Sequence, residues 1–272
     1  MNTKLKISIL ALIVIFACTE IAAKKTTGKR RTGTKRTTIQ TSPTVSFTVE
    51  GVTFEMVRVE GGTFTMGATR EQGSDVESRE KPTHQVTLSS YYIGKTEVTL
   101  ELWEAVMGLN PNFFEGTNLP VESVSWNYCQ TFVTKLNELT GKNFRLPTEA
   151  EWEFACRGGN NSRGYKYSGS NYIDNVAWYD GNSGGETHPV ATKSSNELGI
   201  YDMSGNVWEW CSDRYAGYSS GAQTNPKGPY DGSYRVVRGG SCDYYARCCR
   251  SSHRGNGNPA RRDRDHGLRL AL

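Results

Sequence analysis

The sequence predicts an irregular, loop-rich α+β domain of short antiparallel strands and a few short helices. Three observations carry that expectation. Glycine is abundant, at 29 of 272 residues, and no long run keeps a helical period. Short segments that alternate apolar and polar residues open the domain, the pattern of half-buried strands. Three brief helical patterns follow them, two with Ser or Thr at the start and one with a full capping box.

The chain begins with a segment of another kind. Residues 1–23 read as an export signal, with Lys4 and Lys6 ahead of an apolar run, Ile7 to Ala17, that is too short to span a membrane. Ala17-Cys18 offers a lipoprotein cleavage site, with Cys18 then lipidated. Ile21-Ala22-Ala23 offers an ordinary signal-peptidase site. Either exit makes the mature protein exported, whether periplasmic, cell-surface or secreted, where disulfides are permitted. Residues 24–44 form a basic linker rich in Lys, Arg, Thr and Gly. Its one large apolar residue, Ile39, cannot build a core, so disorder is expected.

The formal charge of +4 belongs to this leader. Nine Lys/Arg and one acidic residue precede Thr38, which leaves 23 basic against 27 acidic residues in the rest. A slightly acidic domain gives no footing for nucleic-acid binding. Residues 45–272 are one domain of ordinary size, expected to act as a monomer.

Within it, Val45, Phe47 and Val49 alternate with Ser46 and Thr48, as do the residues from Phe54 to Val59. Gly61-Gly62 makes a turn into Thr63–Gly67. His84–Leu88 and Tyr91–Ile93 continue the sheet. His84 has no Cys or His at metal spacing nearby and reads as structural. Thr99 caps a helix that runs to Met107, with Trp103, Val106 and Met107 on one face. Ser125 caps a second helix, with Cys129, Phe132, Val133 and Leu136 as its stripe and Gly141 at its end. Thr148 and Glu151 form a capping box that starts a third, and Pro147 bars helix further back.

The chain is organised around Leu198–Trp210. Asp202 and Glu209 stand seven residues apart with Gly205 between them, where the backbone can turn sharply. Two carboxylates and the intervening carbonyls suit a hard cation, calcium more readily than magnesium. The plainer reading is a glycine turn with two solvated carboxylates and core tryptophans at Trp208 and Trp210.

Gly199–Trp210, GIYDMSGNVWEW, resembles the signature of the formylglycine-generating enzymes, or sulfatase-modifying factors. Gly61–Gly67, GGTFTMG, and Arg145–Gly159, RLPTEAEWEFACRGG, are similar to two further motifs of that family. The resemblance implies a C-type-lectin-like formylglycine-generating-enzyme fold. It implies a structural calcium held by the Asp202 and Glu209 side chains and the carbonyls of Gly205 and Val207. A second calcium would start at Asn175 and the Val176 carbonyl. Cys156 matches a disulfide position whose partner would be residue 270, and that residue is Leu270.

The C-terminal stretch bears on function. Active members carry two cysteines, five residues apart, that hold Cu(I) and activate oxygen to turn a sulfatase cysteine into formylglycine. Counted from Gly239-Gly240-Ser241, the second falls on Cys249 and the first on Tyr244. A phenol does not replace a thiolate as a Cu(I) ligand. Cys242 and Cys248 are displaced from the missing position, and a disulfide or unorthodox pair among Cys242, Cys248 and Cys249 stays open. Cys129 and Cys211 read as buried thiols.

Arg235 to Arg269 also holds nine Arg and three Asp, with Tyr244, Tyr245, His253, Asn256, Asn258 and His266. Two accounts compete. One is a solvated, Arg-rich face with internal Arg–Asp pairs. The other is a recognition surface that includes Trp208, Ser241, Tyr244, Tyr245, Arg247 and Arg250, open to a protein or small ligand. The layout resembles the variable segment of diversified C-type-lectin-like proteins that retroelements target. Two functions follow: a non-catalytic ligand-binding domain, or a copper- and oxygen-dependent oxidase acting through Cys249.

Overall fold

The computed structural model describes residues 43–272. The expected signal peptide, the lipidation site at Cys18 and nearly all of the basic linker lie outside the described residues.

Alternating side chains build the first sheet as expected. β1 (Thr44–Val49) and β2 (Val52–Val59) form an antiparallel hairpin in which alternate residues, Val45, Phe47, Val52 and Phe54 among them, turn inward and are half-buried. β5 (Tyr91–Gly94) adds to β2, also antiparallel. A second sheet pairs β3 (Gly62–Met66) with β4 (His84–Leu88) antiparallel, and short β7 (Gln223–Thr224) lies parallel to β4. The third sheet has the order β10-β6-β8-β9. Its strands are β6 (Trp208–Arg214), β8 (Arg235–Arg238), β9 (Arg254–Gly257) and β10 (His266–Leu268). Most strand pairs are antiparallel, as expected; β10 runs parallel to β6, and β7 to β4. A parallel partner needs a long crossover, and residues 215–265 supply it for β10.

The three helices start where their caps dictate. The Thr99 hydroxyl accepts from the Leu102 amide ahead of α1 (Leu100–Met107), and that of Ser125 from Tyr128 ahead of α2 (Trp126–Thr140). Thr148 and Glu151 close both halves of a capping box on α3 (Glu149–Cys156). Cys129, Phe132, Val133 and Leu136 are the buried stripe of α2. They join Trp103, Trp208 and Trp210 in one core; a second core packs α3 and Trp152 against β3, β4 and Leu198–Met203. A small third cluster holds Tyr167, Val176 and Cys249.

Candidate functional site: a cavity over the C-terminal sheet

The third sheet carries a cavity of about 1250 Å³ on one face. The segment between β8 and β10 forms most of its wall, and distant residues Glu77, Arg79 and Asp180 complete it. Two glycines make this possible. Gly239 and Gly240 both adopt positive φ after β8 and reverse the chain. A Cβ on Gly240 would stand 2.7 Å from Cys249 Sγ, so only glycine lets the short helix Ala246–Cys249 pack onto the turn.

Trp208 forms the floor. Only 3% of it is exposed, yet it lines the cavity and gathers other rings around it. Tyr244 meets it edge-on with centroids 5.2 Å apart, and His253 lies 5.8 Å away. Tyr244 and Tyr245 remain 42% and 60% exposed. Burial, with Asp265 nearby, pushes the Tyr244 phenol up, so it stays a hydroxyl donor at neutral pH. Burial also drives the His253 imidazole down to about 3, overriding the opposing pull of Glu80, so it is neutral. Its Nδ1 is buried without a partner. The rim is charged and largely self-neutralised: Arg264 meets Asp243 at 3.0 Å and Arg261 meets Asp263 at 2.8 Å. Arg247 instead lies over the Tyr245 ring at 4.9 Å.

Four of the six expected face residues, Trp208, Tyr244, Tyr245 and Arg247, line this cavity. Ser241 and Arg250 do not. The Ser241 hydroxyl is buried and donates to Asp265 Oδ2 at 2.8 Å, which fixes the wall from behind. Arg250 is fully buried, with Nη1 and Nη2 on the two oxygens of Glu80 at 2.7 and 2.6 Å. The expectation of an Arg-rich solvated face with internal Arg–Asp pairs holds at Arg261 and Arg264 and fails at Arg250 and three others. Arg238, Arg254 and Arg269 are also buried, on Glu153, Glu149 and Glu209 respectively. Asp265, Asn256 and His266 line the cavity as well, although His266 is buried beside Asp265. Glu77, Arg79 and Asp180 were missed because nothing in their local spacing marks them.

The thiols do not form a metal-binding pair with Tyr244. Tyr244 faces the cavity, whereas the Cys249 side chain packs beneath the wall with Tyr167 and Val176. Burial, strengthened by the neighbouring Cys248 and Cys242, raises the Cys249 thiol well above its usual range, so it stays protonated. Cys248 lines the cavity; Cys242 is buried, and its thiol is also pushed up by burial and by Asp243. All six cysteines of the described residues are free, Cys156 among them. Tyr244 and Cys249, at the two positions the resemblance assigns to copper, do not fit a copper pair.

In the expected calcium loop both carboxylates have protein partners. The Glu209 carboxylate accepts from Arg269 and from Trp152 Nε1, and one Asp202 oxygen accepts from the Ala191 amide. The Asn175 carbonyl accepts from the Ser194 amide, and Val176 is buried in the third cluster. Among the described residues no group of three or more His, Cys, Asp or Glu is arranged to hold a metal.

Residues 43–272 match the model of the sulfatase-modifying factor enzyme 1-like domain. The chain is similar to the chaperone protein LppX of Paenibacillus barcinonensis, 35% identical over 80% of this chain and 89% of that one. It is 30% identical to the formylglycine-generating enzyme of Streptomyces coelicolor, over 72% of this chain and 83% of the relative. Among solved structures it is similar to Treponema denticola variable protein 1. That match has a TM-score of 0.78 at 35% identity, and covers 85% of this chain and 99% of the other.

Proposed function

The chain belongs to the sulfatase-modifying factor family, and from that premise we propose that it is a non-catalytic member whose C-terminal cavity binds a ligand. One observation carries this reading. Tyr244 occupies the position where copper chemistry would need sulfur, and it turns to the cavity floor while Cys249 turns to the interior. The oxidase would need a second soft ligand beside Cys249.

What the wall offers instead suits recognition. Tyr, Trp, Arg and Asn supply rigid contact area and adaptable hydrogen bonds, the composition of antibody-like binding surfaces. The frame beneath is stiff, because β8 and β10 hold both ends of the segment in one sheet. The names of two relatives, a chaperone protein and a variable protein, agree with a ligand that is itself a protein. Variation of the wall residues would then change the ligand and leave the frame intact, and an exported domain would meet its ligand outside the cytoplasm.

Two measurements test the reading. The purified chain is incubated with Cu(I), oxygen and a peptide bearing the Cys-x-Pro-x-Arg motif, and the aldehyde is sought by mass. No turnover is expected, and robust turnover would overturn the proposal. A random peptide library displayed on phage is then panned against the chain. Sequences that bind it but not its Tyr244→Ala variant are expected; enrichment of none argues against a binding face at this cavity.

A further inference from the structure

The Leu198–Trp210 stretch closes around a positive charge that the chain supplies itself. Glu209 lies on β6 opposite Gly267 of β10, and Arg269 follows two residues later. Both side chains are fully buried. Arg269 Nε reaches Glu209 Oε1 and Oε2 at 3.1 and 2.9 Å, and Nη2 reaches Oε1 at 2.6 Å. Trp152 Nε1 takes Oε2 from another side at 2.7 Å. A carboxylate has about four lone-pair directions, and three N–H groups, one of them shared between both oxygens, take most of them. The rest of the guanidinium is bound too: Nη1 donates to the Gly94 carbonyl and Nη2 to that of Tyr201, both at 2.9 Å.

We propose that Arg269 is the resident cation of this chamber, and that neither the turn before β6 nor the cavity floor at Trp208 draws on a divalent metal. Calcium takes six to eight oxygens. With both Glu209 oxygens engaged by Arg269 and Trp152, the set expected from the sequence leaves the second Asp202 oxygen and the carbonyls of Gly205 and Val207. That is three oxygens and one formal charge. Glu97, the other buried carboxylate here, is committed to Asn206 Nδ2 at 2.7 Å and the Val207 amide at 3.1 Å. A divalent ion would also meet the guanidinium across a dry interior, where like charges repel strongly. The same pair fastens β10, which ends the recognition segment, to the strand that begins with Trp208. The guanidinium thus positions the cavity floor as well as balancing the charge.

The test needs no ligand, so it stands or falls apart from the binding reading. Thermal unfolding of the full chain is followed in EDTA and in calcium chloride. A site filled at a hundred times its Kd would raise the midpoint by about 5–10 °C, whereas agreement within about 1 °C is expected. Terbium is added in parallel, and its emission is read through tryptophan excitation. A calcium shift or a calcium-competed terbium signal that persists in Asn175→Ala overturns the proposal. One that vanishes in Asn175→Ala puts the ion on the other loop and leaves the chamber metal-free, as proposed. Arg269→Gln is expected to lower the wild-type midpoint by about 6–20 °C, and an unchanged midpoint would equally overturn it. Should that variant fail to fold, the wild-type arms still decide.

Discussion

Replacing Arg250 separates a core role from a surface role most sharply. Its guanidinium makes two bonds to Glu80, one to the Asp75 carbonyl at 2.9 Å and one to Ser252 Oγ at 3.2 Å. Arg250→Ala leaves the Glu80 carboxylate buried, with the Glu77 amide and the Ser252 hydroxyl as its remaining donors. Removing one partner of a buried pair costs about 3–5 kcal/mol, because the other charge stays desolvated. In a domain of this size that is a fall of about 6–20 °C in the melting midpoint. Urea unfolding at neutral pH, read by tryptophan fluorescence, measures the loss. Arg247→Ala is the control, since that side chain is exposed and should stay within about 0.5 kcal/mol of wild type. The double variant Glu80→Met/Arg250→Met should regain most of the stability, as apolar replacements of buried pairs do. If Arg250→Ala loses less than about 1 kcal/mol, the ion pair is not holding the wall and Arg250 returns to the ligand face.

Other outcomes follow from the same structure. Acid should weaken the Glu80 pair. Burial alone would raise this carboxyl, but Arg250 and Ser252 outweigh it and hold it at about 2, so its contribution is present above about pH 4.5 and fades as pH falls toward 2. Asp213 should act in the opposite sense. Burial, then Glu149, raises it to about 7, so the folded chain holds that proton more tightly than the unfolded one. Stability from this group should drop by at most about 4 kcal/mol as pH rises from 4 to 7, and Asp213→Asn should flatten the slope in urea titrations. Thiol labelling of the native chain, mapped by peptide mass, should reach Cys248 first, and Cys249 only on unfolding, because Cys248 alone of the three C-terminal thiols lines the cavity. Tyr244→Ala should leave the melting midpoint within about 2 °C of wild type while abolishing selected peptide binding.

What could be read from the sequence was what short-range chemistry decides. Thr99, Ser125 and the Thr148–Glu151 box act within one helical turn, and each starts a helix where its spacing says. Alternation in β1 and β4 survives because each keeps one face exposed. β6 shows no such pattern, since its first four residues are all buried, and it passed for a loop around two tryptophans. β9, Arg254–Gly257, has no apolar residue at all and is a strand only because β8 pairs with it. The buried arginines were illegible for a related reason. Arg250 and Glu80 stand 170 residues apart, so no local window holds both. At the cavity, residue types were legible and orientation was not: the sequence places Tyr244 and Arg250 alike on one segment, and tertiary packing sends them to opposite sides of the wall.

The last five residues stitch the first sheet to the third. Leu268 accepts from Val98, Leu270 from Gly94, and Leu272 exchanges both backbone bonds with Tyr92, while Ala271 does the same with Arg145. Until this ribbon docks, the domain is half-zipped, with the edge of β5 open to any passing strand. Deleting residues 268–272 should be far more damaging than nicking an exposed loop.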